Sequence, residues 1–100
     1  MYFAISKITF EQETTSYDHK ELKSLIEKLR ARFKITIRIS EDFQKTGEPS
    51  IILAALHPQQ EALSKLLDSV VEFCELSGFG RIADEKTILE DLDSALEESY

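Results

Sequence analysis

The sequence is poor in the residues that build the more specialised classes of protein. It has one cysteine, which excludes an internal disulfide framework and a zinc site made of cysteines. Three glycines and two prolines exclude a collagen-like or proline-rich disordered chain. No apolar run approaches the roughly 20 residues that span a bilayer, and the first residues show neither a basic leader nor a cleavage site. These absences predict a cytoplasmic protein with no membrane partner.

What the chain does contain fits one small globular domain. Its 100 residues are 42% apolar and 31% charged, and the net charge is -7. That charge is unevenly distributed: residues 18–38 carry seven Lys/Arg and three Asp/Glu, whereas residues 84–100 carry one base and seven acids. An acidic chain does not favour general nucleic-acid binding, because the phosphate backbone repels it. A local basic element can still bind phosphate, and the acidic end can compete for that element.

Hydrophobic periodicity predicts the order of the secondary structure. Apolar residues at every second position predict strands, and those at every third or fourth position predict helices. Strands are predicted over residues 2–10, 34–40, 51–56 and, on a weaker pattern, 79–89. One helix is predicted over residues 18–33. A second is predicted to start with Pro58 at its first helical position and to end near Gly78, where a left-handed residue is expected.

The order β-α-β-β-α-β predicts a ferredoxin-like α+β domain over residues 1–89. Right-handed crossovers place both helices on one face of a four-stranded antiparallel sheet. Residues 90–100 are predicted to form an acidic C-terminal tail or a short helix. The run Ile51 to Leu56 lacks the polar alternation of a one-sided sheet, so the far face needs cover. A partner copy or the segment of Leu89, Leu92 and Leu96 can supply that cover, and we expect a homodimer.

The chain carries no catalytic constellation. Cys74 lies on the apolar stripe of the second helix and reads as a buried small hydrophobe. His57 ends a strand, and His19 lies in the first turn of a helix. There is no phosphate-binding loop and no histidine motif for a metal. We therefore predict that the protein is not an enzyme and uses no cofactor or metal.

One helix face carries most of the positive charge. Lys23, Arg30 and Lys34 fall within roughly 40° on a helical wheel, with Lys20 further round and Glu27 interrupting the row. This face has two interpretations: a solvated surface with local ion pairs, or a contact surface for phosphate or an acidic protein. No aromatic residues are interleaved with the bases, so stacking on single-stranded bases is not indicated. The candidate phosphate- or partner-binding residues are Lys20, Lys23, Arg30, Arg32, Lys34 and Arg38.

Three stretches together resemble the YlxP-like family of small bacterial proteins (domain of unknown function 503), as a divergent member. They are the N-terminal strand, the helix from Leu22 to Phe33 running into its strand, and the apolar strand followed by a helix that ends near Phe73 and Glu75. The resemblance covers most of residues 1–88. The chain departs from the family in a less basic segment 16–21 and in having no tryptophan. The resemblance implies a ferredoxin-like fold, a bacterial cytoplasmic setting and an association with translation or ribosomes.

These observations predict a non-enzymatic binding module that associates with itself. The alternative is an RNA- or ribosome-associated protein that contacts phosphate through the basic face of its first helix. A third class, a small-molecule regulatory domain at a dimer interface, rests on fold analogy alone.

Overall fold

The computed structural model describes residues 1–11, 19–40 and 48–98. Predicted features in segments 12–18 and 41–47, including most of the loop between the second and third strands, lie outside the described residues. The described ranges contain the elements β1 (Tyr2–Phe10), α1 (His19–Phe33), β2 (Thr36–Ile39), β3 (Ser50–His57), α2 (Gln60–Leu76), β4 (Ile82–Asp91) and α3 (Leu92–Glu98).

The four strands form one sheet in the order β2-β3-β1-β4. Every neighbouring pair is antiparallel, with Ile5 opposite Ala54 of β3 and Ile88 of β4. β1 and β3 are therefore central, and β2 and β4 are the edges. The predicted α+β architecture with a four-stranded antiparallel sheet is confirmed. β2 and β3 are neighbours as expected, although residues 34 and 35 precede the strand.

The hydrophobic core lies between one face of the sheet and the helices α1 and α2. The even-numbered residues of β1 from Ala4 to Phe10 are buried there, and Ser6 among them bonds the Thr87 hydroxyl at 2.8 Å. Phe10 packs edge-on against Phe79 with ring centroids 5.0 Å apart. The helices contribute Leu22, Leu25, Ile26, Leu29, Leu63, Leu67, Val70 and Cys74. The helical spacing of these residues explains why each helix buries one stripe.

The second helix begins later than its proline predicts. α2 starts at Gln60, and Gln59 before it is extended with φ -114° and ψ 127°, so Pro58 lies outside the helix. The amide of Gln59 donates instead to the ring Nδ1 of His57 at 2.9 Å. His57 thus closes a turn after β3. The predicted left-handed residue at the other end is confirmed, since Gly78 has φ +78°.

Residues 82–98 form a strand followed by a short helix. β4 continues to Asp91, two residues past the predicted limit, and Leu92 begins the seven-residue α3. The amide of Leu92 donates to the carbonyl of Met1 at 2.9 Å, which ties this helix to the start of β1. Within the described ranges, no helix combines the length and the apolar character needed to cross a bilayer.

Candidate functional site

The sheet face opposite the helices, here called the open face, carries a continuous apolar patch. Residues directly opposite each other in antiparallel strands point to the same side, so the register assigns the open face directly. Its apolar members are Phe3, Ile5, Ile52, Ala54, Leu56 and Ile88. Ile5 is 45% exposed, Ile52 39%, Leu56 65% and Ile88 53%. Four large aliphatic side chains on three adjacent strands thus remain in contact with water.

The C-terminal segment leaves this patch open. Leu89 points to the other side of the sheet, where it packs against the core, and Leu96 is itself 50% exposed. The expectation that Leu89, Leu92 and Leu96 supply cover is therefore not met at Ile5 and Ile88, which stay about half exposed. The sequence did not identify Ile88 as a residue of the open face, because Ile88 and Leu89 are both apolar and interrupt the alternation of the strand.

Charged residues border the apolar patch. Lys7, Lys86 and Arg38 lie in one row across the open face, since Lys7 is opposite Lys86 and Ile52, and Ile52 is opposite Arg38. Asp84 lies two residues from Lys86 on the same side of β4, with 3.9 Å between its carboxylate and the ammonium. The open face therefore has an apolar centre and a charged rim, which is typical of an interaction surface.

A second feature is a groove between α1 and the free edge of β2, here called the basic groove. It encloses about 250 Å³ and is lined by Lys23, Ile26, Glu27, Arg30, Arg38 and Ile39. Three of the predicted phosphate-binding residues, Lys23, Arg30 and Arg38, come together here. Two of them come from the helix and one from the strand, so the groove depends on how α1 packs beside β2.

Arg30 also closes part of the free edge of β2. Its Nη2 donates to the carbonyl oxygen of Ile37 at 2.7 Å. The amide of Ser40 donates to the carbonyl of Ser50, so these two residues form a hydrogen-bonded pair between β2 and β3. Such pairs occur at every second position of antiparallel strands, so the backbone groups of Ile37 point away from β3. The guanidinium thus satisfies an edge carbonyl that another strand would otherwise contact.

The other three predicted residues lie elsewhere. Lys20 and Lys34 are 14 residues apart, which is about 21 Å along α1. Lys34 follows the helix with φ +51°, in the left-handed region. Arg32 turns towards α2, where its guanidinium carbon lies 5.5 Å from the ring centroid of Phe73. The structure therefore divides the six candidate cations among separate surfaces.

Packing accounts for the single cysteine of the chain. Cys74 is fully buried, and burial, with a smaller effect of Glu75, raises the pKa of its thiol to about 12. Such a thiol stays protonated and unreactive at neutral pH. Among the residues that the structure describes, no three His, Cys, Asp or Glu side chains are grouped so as to hold a metal ion.

Comparisons with known proteins give information about the fold. No family model matches the chain, and no curated protein sequence matches it. A solved structure, that of At3g17210 from Arabidopsis thaliana, is similar with a TM-score of 0.53 and 13% sequence identity. The similarity covers 89% of this chain and 93% of that one. At this identity it supports the same arrangement of strands and helices.

Proposed function

We propose that this protein is a small non-enzymatic interaction module that associates with a second copy of itself through its open face. We place it in the ferredoxin-like fold, because the strand order β2-β3-β1-β4 with α1 and α2 on one side fits two interleaved β-α-β units. We also propose membership of the YlxP-like family and a bacterial cytoplasmic setting, on the residues from Leu22 to Phe33 and their following strand.

The observation that carries the proposal is the exposure of Ile5, Ile52, Leu56 and Ile88 on one face of the sheet. Burying a whole side chain of this kind contributes roughly 1.5–3 kcal/mol, so covering four that are about half exposed contributes roughly 3–6 kcal/mol per protomer. Two protomers together gain roughly 6–12 kcal/mol, against an association cost of about 4–15 kcal/mol. The gain and the cost are of similar size, so we expect a weak, reversible dimer that forms at high protein concentration.

Sedimentation velocity over protein concentrations from low micromolar to near millimolar tests this proposal. The wild-type chain is expected to shift from monomer to dimer, and Leu56→Asp is expected to stay monomeric, because it places a charge in the buried centre. Leu76→Asp is the matched control, since Leu76 is 79% exposed at the end of α2 and lies off the sheet. A wild-type chain that is monomeric throughout, or equal effects of the two variants, contradicts the proposal.

The basic groove favours a second candidate function, contact with the phosphates of RNA or of the ribosome. Its supporting observation is that Arg38 of β2 joins Lys23 and Arg30 of α1 around one cavity. Three phosphate contacts predict that log K falls against log[salt] with a slope of about -2 to -3.

Co-sedimentation with ribosomes from a native lysate at low and high salt tests the second candidate. The variant Lys23→Glu/Arg30→Glu/Arg38→Glu is expected to lose binding. The control Lys28→Glu/Lys65→Glu/Arg81→Glu changes the net charge equally at positions outside the groove. Binding that is absent, insensitive to salt or equally reduced in both variants excludes the groove as the contact surface.

A further inference from the structure

β4 is the longest strand of the sheet and forms one of its two edges. Its ten residues pair with β1 on one side, and no strand lies on the other side in the part of the chain that the structure describes. The opposite edge, β2, has only four residues, and Arg30 donates to its Ile37 carbonyl. The free edge of β4 is therefore the longer of the two rows of edge backbone groups.

The register shows which backbone groups of β4 point outward. The amide of Leu92 donates to the carbonyl of Met1, so these residues form a hydrogen-bonded pair at the end of the β1–β4 ladder. Hydrogen-bonded pairs alternate along antiparallel strands, so Lys86 and Ile88 also bond β1. The N–H and C=O groups of the alternate residues point away from the sheet, and these residues are Glu85, Thr87 and Leu89.

The side chains of β4 are also accessible, because α1 and α2 pack mainly against the other three strands. Glu85 and Thr87 on the helix side of β4 are exposed. Lys86 and Ile88 on the open face are exposed as well. An added strand can therefore contact β4 through its backbone and through both of its faces.

The charge of β4 selects the chemistry of its partner. The strand carries four acids and one base, a net charge of -3, and α3 after it adds acids but no base. A second β4 carries the same charge, so two copies of this strand repel each other. A basic strand brings positive charges beside Asp84 and Glu90 on the open face. It does the same beside Glu85 and Asp91 on the helix side.

We propose that β4 binds an extended basic segment of a partner protein, which adds to the sheet as a fifth strand antiparallel to β4. Strand addition at an exposed edge gives affinity through main-chain hydrogen bonds and specificity through alternate side chains. The antiparallel direction is that of every pair in this sheet and is slightly more stable per residue. The segment carries an apolar residue opposite Ile88, an acid opposite Lys86 and bases opposite the four acids. Stacking of two open faces leaves this edge free, so the site does not depend on the dimer.

A synthetic peptide with this pattern tests the proposal by isothermal titration calorimetry on the wild-type protein. The peptide is acetyl-Lys-Arg-Val-Ile-Thr-Glu-Lys-Arg-amide, whose residues lie opposite Asp91 to Asp84 in that order. N-methylation of its valine and threonine, whose amides face β4, is expected to weaken binding about tenfold. N-methylation of its isoleucine and glutamate, whose amides face solvent, is expected to leave binding within about twofold. Equal effects of the two modifications, or no binding of the unmodified peptide, overturn the proposal.

Two substitutions at one position of the protein separate backbone pairing from charge. Glu85→Pro removes the outward amide and the acid, and an edge strand accepts proline where its N–H faces solvent. Glu85→Gln removes only the acid. We expect Glu85→Pro to weaken binding of the peptide about tenfold and Glu85→Gln about two- to threefold. Equal binding by the two variants contradicts pairing along β4.

Amide hydrogen exchange on the wild-type protein locates the peptide without any substitution. In the free protein, the amides of Thr87 and Leu89 are expected to exchange quickly, and those of Lys86 and Ile88, which bond β1, slowly. The peptide is expected to slow exchange at Thr87 and Leu89. Protection confined to β2 places the peptide at the other edge. Protection of Thr87 that rises with protein concentration, in the absence of peptide, places a second copy on β4. Either result overturns the proposal.

Discussion

The buried thiol of Cys74 makes the stability of this protein depend on pH in a specific alkaline range. Cys74 is fully buried among the core residues of α2, and burial raises its pKa from 9.0 to about 12. In the unfolded chain the thiol ionises near its ordinary pKa, whereas in the folded protein it stays protonated until about pH 12. The free energy of unfolding therefore keeps its full value, as far as this thiol is concerned, below pH 9, and it falls as the pH rises towards 12.

The magnitude follows from the difference between the two pKa values. Each unit of pKa difference corresponds to about 1.4 kcal/mol. Between pH 9 and pH 12 the free energy of unfolding is expected to fall by about 1.4 kcal/mol per pH unit, which gives a loss of about 3 kcal/mol at pH 11. This loss is a substantial fraction of the stability of a small domain.

Urea unfolding at pH values from 8 to 11 measures this effect, with Cys74→Ala as the reference. Cys74→Ala is expected to lower the free energy of unfolding at every pH, because it leaves a cavity. In the dependence of that free energy on pH, it removes only the contribution of this thiol. All other ionisable groups are common to both proteins, so their contributions cancel in the difference. Parallel stability curves for the two proteins would refute the reasoning, since they would show that the thiol ionises equally in the folded and unfolded chains.

Two further substitutions test local features of the fold. Lys34→Gly is expected to raise the free energy of unfolding by roughly 0.5–1 kcal/mol, because Lys34 has φ +51° and glycine adopts that conformation without a Cβ clash; a lower Tm in thermal unfolding contradicts this. Arg30→Met keeps the aliphatic stem but loses the hydrogen bond to the Ile37 carbonyl, and we expect Tm to fall by roughly 4–8 °C for a loss of about 1 kcal/mol. Lys28→Met, an equal loss of charge on the same helix, should leave Tm within about 2 °C.

The sequence alone predicted the order of the four strands and of the first two helices, and it left residues 90–100 open between a tail and a short helix. The three- and four-residue spacing in α1 is a local property of the chain, and it identified the buried face of that helix. The first half of β1 is apolar on both sides, so its core face followed only from the fold. A continuous apolar run likewise identified β3 as a central strand. The start of α2 was wrong because a proline permits a helix start without requiring it, and the hydrogen bond of Gln59 to His57 favours a turn there.

Tertiary structure alone decided which of the candidate residues act together. Lys23, Arg30 and Arg38 share a groove because α1 packs beside β2, whereas Arg32 on the same helix turns to Phe73 of α2. The open patch joins Ile5 to Ile88 across 83 positions of the chain, and the acidic β4 lies opposite the basic edge only through the strand order. Periodicity reports which side of one element is apolar. Which sides then meet, and which stay exposed, depends on packing between elements that are far apart in the sequence.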